Sequence, residues 1–236
     1  MVRGEKIIVA LDVSTPEEVR ILIDKLRPVI KIFKVGSELF TSCGVEAIDI
    51  VRRKGCRAFL DLKFHDIPNT VKKAAKAATK RGVYMLTIHA LGGLKMMREA
   101  VEGSREEAAR LHVEAPILLG VTVLTSLDQT DLASIGVKGT VKNEVVRLAQ
   151  LAQEAGLNGI VASPNEVSEI RARVKKDFII VTPGVRPKWC LKSDQKRVAT
   201  PKEALSRGSD YLVIGRPITA SDDPREAAEK ILEEIE

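Results

Sequence analysis

The chain has 236 residues, 44% hydrophobic, 30% charged and only 3% aromatic, and its 38 basic and 32 acidic residues leave a net charge of +6. That balance suits a globular protein with an apolar core and excludes a disordered or low-complexity chain. The basic residues are interleaved with acidic ones, as over residues 105–110, and aromatic stacking platforms are few, so a nucleic-acid partner is not expected. No apolar run approaches the roughly 20 residues of a membrane helix. The start is charged (Arg3, Glu5, Lys6) and unlike a secretory signal. The expectation is a cytoplasmic protein with no membrane partner. Cys43, Cys56 and Cys190 are far apart and form no CxxC, which argues against a disulfide framework or a zinc knuckle.

Short apolar runs alternate with amphipathic stretches. The first strand is predicted over residues 7–13. Ser14, Thr15, Pro16, Glu17 and Glu18 then mark a helix start, with a capping hydroxyl, proline in the first turn and acids at the positive end of the dipole. Strands follow over 32–35, 58–62 and 84–89, with helices over 44–54, 68–81 and 94–111. The fifth strand, 117–124, precedes an insertion over 126–139 and a helix over 141–155. The sixth, 159–162, leads to a helix over 165–174. The seventh, 178–182, is followed by a long polar loop to residue 199 and a short helix over 201–206. The eighth, 211–214, precedes a last helix over 224–234.

These strands are continuous apolar runs, the pattern of a parallel sheet buried on both faces. Eight strand–helix pairs in this length predict an α/β fold, a single-domain (β/α)₈ (TIM) barrel over residues 1–236. A doubly wound open sheet is the alternative. The first strand is not followed by GxGxxG, which argues against a dinucleotide-binding unit.

In such a barrel the active site lies where the strands end. Those ends carry Asp12, Lys34, Asp61 with Lys63, His89, Thr125 with Ser126, Arg186, and Gly215 with Arg216. A charge inside an apolar strand is costly unless paired. Asp61 and Lys63 are two apart and so are expected on one face, with Lys34 at matching depth on the neighbouring strand and Asp66 just beyond. Lys34, Asp61, Lys63 and Asp66 are therefore predicted to form an alternating row of zero net charge. An ion-pair network that only closes the barrel mouth is the plainer reading; Asp12 at the same end favours a functional site. Gly215 and Arg216 suit a phosphate, and Arg186 and Gln195 lie where a lid belongs. His65, His89 and His112 lack metal-site spacing, and Ser126 lacks a nucleophile elbow.

Residues 61–70 read DLKFHDIPNT, a string that resembles the signature of the orotidine 5′-phosphate decarboxylase family. The resemblance extends to ALD at 10–12, FKVG at 33–36, LTS at 124–126, TPGVR at 182–186, DQ at 194–195 and IGRP at 214–217. It implies a homodimeric barrel converting orotidine 5′-monophosphate to UMP in de novo pyrimidine synthesis, with no metal and no organic cofactor. It further implies that Lys63 donates a proton, flanked by Asp61 and Lys34. Asp66, Ile67 and Thr70 would act in the partner subunit's site, with Asn69 supporting their loop. Asp12 and Lys34 would hold ribose hydroxyls, Thr125 and Ser126 would face the pyrimidine, and Arg186, Gln195, Gly215 and Arg216 would hold the phosphate. The segment 188–191, KWCL, is less polar than the lid this family leads one to expect. Two other readings stand beside this one. In metal-dependent sugar-phosphate decarboxylases and aldolases of the same suprafamily an acidic residue on the second strand joins the aspartates on Mg²⁺, where this chain has Lys34. A non-enzymatic phosphate- or RNA-binding barrel would use the net positive charge but gives no reason for alternating charges at the strand ends.

Overall fold

A computed structural model describes residues 3–190 and 199–235. In chain order it contains β1 (Ile7–Ala10), α1 (Pro16–Leu26), β2 (Ile32–Gly36), α2 (Ser37–Cys43), α3 (Glu46–Arg53), β3 (Arg57–Phe64) and α4 (Pro68–Lys80). Next come β4 (Met85–His89), α5 (Gly93–Leu111), β5 (Ile117–Val121), α6 (Gln129–Ser134), α7 (Val141–Glu154) and β6 (Gly159–Val161). The chain ends with α8 (Val167–Arg171), β7 (Ile179–Thr182), α9 (Pro201–Ser206), β8 (Tyr211–Ile214), α10 (Arg216–Thr219) and α11 (Pro224–Glu234). The strands pair in parallel in sequence order, and β8 returns to β1 through Val213 opposite Ile8. The sheet is therefore a closed barrel, as the strand–helix alternation predicts, and not an open sheet.

Closure divides the apolar side chains into two layers. Ile8, Ile32, Phe59, Met85, Leu119, Val181 and Tyr211 fill the barrel interior. Their sequence neighbours, such as Ile7, Val9, Phe33, Leu60 and Leu86, point outward and pack under the helices. Both faces of each strand are buried, which is why the strands read as unbroken apolar runs. At the amino-terminal end the Tyr84 and Tyr211 hydroxyls meet at 3.4 Å, and the Arg57 guanidinium lies 4.8 Å over the Tyr84 ring. That end is plugged, which leaves the carboxyl ends of the strands for chemistry.

The start of α1 is as predicted: Thr15 caps it, its hydroxyl accepting from the Glu18 N–H while the Glu18 carboxylate accepts from the Thr15 N–H. Other boundaries differ from expectation for local reasons. β1 stops at Ala10, with one more bond from Leu11 N–H to the Lys34 carbonyl. β5 stops at Val121, where the Thr122 hydroxyl donates to the Val161 carbonyl. The expected helix over 44–54 is only α3, because Gly44 sits at φ +57 and separates it from α2. The insertion holds α6, capped by Asp128 and Asp131 in a reciprocal box. Among the described residues no helix is long and apolar enough to cross a membrane.

Candidate active site

The inward column of β2 is Ile32, Lys34 and Gly36. Its register with β3 sets Lys34 opposite Phe59 and Gly36 opposite Asp61. Lys34 is thus one layer deeper than Asp61, not level with it as the sequence suggested. Its side chain spans the difference, placing Nζ 3.6 Å from Asp61 Oδ2 and 3.6 Å from Asp12 Oδ1. The missing side chain of Gly36 makes this possible, since a Cβ there would stand 2.8 Å from Lys34 Nζ. Only 12% of the Lys34 side chain is exposed; two carboxylates offset the cost of burying its charge.

Lys63 reaches the same group by a different route. The alternation expected between Asp61 and Lys63 is broken: pairing with β4 runs from Leu60 opposite Leu86 directly to Phe64 opposite Ile88. The extra β3 residues bulge, and Lys63 takes φ +51, a left-handed conformation that costs a side-chain-bearing residue roughly 1–2 kcal/mol. The bend brings Lys63 Nζ to 3.0 Å from Asp61 Oδ1. The Thr87 hydroxyl, in the inward column of β4, accepts the Lys63 backbone N–H at 2.9 Å and donates to Asp61 Oδ1 at 3.0 Å.

Two adjoining cavities open beside these charges. The smaller, about 200 Å³, is lined by Lys34, Asp61, Lys63 and Thr125 together with apolar residues including Phe59 and Val213. The larger, about 560 Å³, is lined by Asp12, Arg186, Gly215 and Arg216 and shares Val213 with the first. Gly215 is packed closely here, since a Cβ on it would lie 3.2 Å from Asp12 Oδ2. The short helix α10, absent from the sequence-level assignment, begins at Arg216, just after β8. A small, largely apolar cavity edged by Lys34, Asp61 and Lys63 thus adjoins a larger one that carries two arginines, the residue type suited to a phosphate.

The structure thus brings together Asp12, Lys34, Asp61, Lys63 and Thr125 with Arg186, Gly215 and Arg216. It does not bring Asp66 into the row within one chain. Asp66 is exposed, its carboxylate accepts the Ile67 N–H at 2.6 Å, and among the described residues no ion pair joins it to Lys34 or Lys63. Ile67 is 67% exposed, and Asn69 and Thr70 are exposed beside it at the start of α4. Ser126 is exposed next to Thr125 and lines neither cavity. Gln195 and Asp194 lie outside the described residues. Lys188–Cys190 forms a 3-10 turn, with Cys190 facing the larger cavity and Trp189 half exposed. The three cysteines are free thiols. Among the described residues no three His, Cys, Asp or Glu side chains gather as a metal-binding set.

Sequence reasoning overlooked Thr87 and the pairing of His65 with His89. Thr87 interrupts the apolar run 85–88, and residues 85, 87 and 89 share the inward face, which is the signal that was available. The His65 and His89 rings stack 5.2 Å apart. Burial pushes the His89 imidazole down to about 4, with smaller contributions from His65 and Lys63, so the ring is neutral near pH 7. His89 Nδ1 accepts the Leu91 N–H at 3.3 Å. His112 is exposed and ends α5 in the left-handed conformation, a capping role rather than a chemical one.

The orotidine 5′-phosphate decarboxylase / HUMPS family model matches residues 5–231. The chain is 50% identical to the orotidine 5′-phosphate decarboxylase of Syntrophomonas wolfei, over 98% of each chain. It is 52% identical to that of Moorella thermoacetica, over 98% of this chain and 92% of the relative. The crystal structure of orotidine 5′-phosphate decarboxylase from Lactobacillus acidophilus superposes with a TM-score of 0.87 at 38% identity, covering 98% of this chain and 99% of that one. With the fold and nearly the whole of its length in common with these proteins, the chain belongs to the orotidine 5′-phosphate decarboxylase / HUMPS family.

Proposed function

We propose that the chain decarboxylates orotidine 5′-monophosphate to UMP in de novo pyrimidine synthesis, as a homodimer and without a metal or organic cofactor. The observation that carries this reading is the Lys63 ammonium, 3.0 Å from the Asp61 carboxylate at a small, partly apolar cavity that adjoins the arginine-lined one. Breaking the bond between C6 and its carboxylate releases CO₂ and leaves the electron pair on C6, in the ring plane and without resonance delocalisation. The Lys63 ammonium, directed at C6, stabilises that pair and then transfers a proton from Nζ to carbon; solvent returns the proton to the amine. Asp61, placed beside the substrate carboxylate, repels it until CO₂ departs.

Asp12, Lys34, Thr125, Arg186, Gly215 and Arg216 are assigned by the cavities they line, and Ser126, Gln195 and the second copy's residues by the family resemblance alone. Asp12 and Lys34 bind ribose hydroxyls, and Thr125 and Ser126 face the pyrimidine. Arg186, Gln195, Gly215 and Arg216 bind the phosphate, whose binding energy orders the site. Asp66 of a second copy completes the charge row, and that copy's Ile67 and Thr70 border the same site. A metal-dependent sugar-phosphate reaction is disfavoured by Lys34, whose ammonium occupies the space between Asp12 and Asp61 where a cation would sit.

Ultraviolet absorbance of orotidine 5′-monophosphate in the presence of EDTA tests the proposal. Turnover unaffected by chelator is expected. Loss of activity on EDTA treatment, restored by Mg²⁺, would favour the metal-dependent alternative, and absence of turnover in either condition would reject the substrate.

A further inference from the structure

Thr87 has no part in the chemistry described above, yet it joins the two residues at its centre. Its side chain is fully buried in the barrel. A threonine hydroxyl carries one proton and two lone pairs. Here a lone pair receives the Lys63 backbone N–H at 2.9 Å, and the proton goes to Asp61 Oδ1 at 3.0 Å. The same carboxylate oxygen meets Lys63 Nζ at 3.0 Å. Backbone, hydroxyl, carboxylate and ammonium thus form a closed circuit in which Thr87 is the only member from outside β3.

The circuit sits where the ladder between β3 and β4 is interrupted, between Leu60 and Phe64. The Lys63 N–H therefore bonds to a side chain of β4 in place of its backbone. A residue at φ +51 persists only when its surroundings hold it there. Without the hydroxyl, a partly buried N–H loses its partner and Asp61 loses a donor, so both halves of the ion pair are released from their alignment.

We infer that Thr87 is a positioning residue for decarboxylation, its hydroxyl fixing the Lys63 bend and the Asp61 carboxylate in register with each other. The inference rests on the proposed roles of Lys63 and Asp61 and adds the element that holds them. Lys63 aims the proton and Asp61 aims Lys63; Thr87 sets both from the neighbouring strand. A misplacement on the order of 1 Å in such a pair costs about a hundredfold in rate.

The test uses Thr87→Val, which keeps the shape and removes the hydroxyl, and Thr87→Ser, which keeps the hydroxyl. In Thr87→Val, kcat should fall by about tenfold to a hundredfold, while KM for orotidine 5′-monophosphate and Kd for UMP stay within about threefold, because the phosphate and ribose contacts are untouched. Thr87→Ser should retain kcat within about threefold of the parent. Amide hydrogen exchange at Lys63 should accelerate at least about tenfold in Thr87→Val and not in Thr87→Ser, a readout independent of turnover. If Thr87→Val does not fold, Thr87→Ala against Thr87→Ser gives the same comparison. An unchanged kcat in the hydroxyl-free variant, a serine variant as slow as valine, or a loss confined to KM would overturn the inference. A parent protein that leaves orotidine 5′-monophosphate unchanged would instead reject the substrate, and the exchange at Lys63 would still decide whether Thr87 holds the bend.

Discussion

Burial makes His89 a proton-linked stability element as well as a neighbour of the site. Its imidazole ordinarily titrates near 6.5 and in the folded chain is pushed down to about 4, first by desolvation and then by His65 and Lys63. Between these values the unfolded chain binds a proton that the folded chain refuses. The contribution of the neutral ring is complete above pH 6.5, declines as pH falls through the window, and is gone below about 4. Its upper bound is roughly 3 kcal/mol. His89→Asn, whose amide oxygen replaces Nδ1 as acceptor for Leu91, should therefore lose less stability than the parent between pH 7 and pH 4.5. Urea denaturation at the two pH values checks this; equal losses in both proteins would show that the ring does not carry the linkage. Glu106, held down to about 2 chiefly by Lys76 and then Lys72, is common to both proteins and cancels in the comparison. None of this was legible from His89 as a letter in the sequence, because its burial depends on a ring contributed by the loop after β3.

At the scale of elements, the ends of β7 and β8 carry Arg186, Gly215 and Arg216, and one arginine ties those strands together from outside the barrel. Arg171 at the end of α8 donates to the Phe178 carbonyl at 2.8 Å, the Gly208 carbonyl at 2.7 Å and Asp210 Oδ2 at 2.7 Å. Asp210 Oδ2 also accepts the Ile180 N–H at 2.8 Å. Removing the guanidinium takes its donors from the Phe178 and Gly208 carbonyls and from the weaker contact at the Lys176 carbonyl, and leaves Asp210 with the Ile180 N–H but without its ion-pair partner. These contacts lie where β7 and β8 begin, away from the site, so Arg171→Ala should lower stability by about 1–3 kcal/mol, allowing for partial solvent screening. A urea midpoint unchanged from the parent would refute the clamp. Elements of this kind divide into those legible in sequence and those not. The Thr15–Glu18 cap and the existence and order of the eight strands follow from local chemistry, whereas the ends of β1 and β5 do not. The bulge in β3 follows from pairing with β4, so strict alternation put Asp61 and Lys63 together for the wrong reason. The depth of Lys34 likewise depends on the register between β2 and β3, which no single strand encodes.

At the scale of the whole molecule, the remaining question is what completes a charge row that lacks its fourth member in one chain. Asp66 and Ile67 project from the rim onto solvent, next to a groove of about 530 Å³ along α4 and α5 that Lys72, Lys73, Lys76 and Lys95 line together with Glu99 and Glu106. An exposed isoleucine at the edge of a mixed-charge groove is a surface suited to a second copy. In a two-fold dimer each site would draw Lys63 from one subunit and Asp66 from the other. Lys63→Ala and Asp66→Ala should then each be nearly inactive alone. Mixed in equal amounts with subunit exchange, they form about half heterodimers, in each of which one site has both wild-type residues and the other has neither, so about a quarter of parental activity should return. Native mass spectrometry establishes the exchange, and the absorbance assay reads the activity. If exchanged dimers stay inactive, Asp66 acts within its own chain or not at all, and the row would have to be closed by a movement of its loop across the rim.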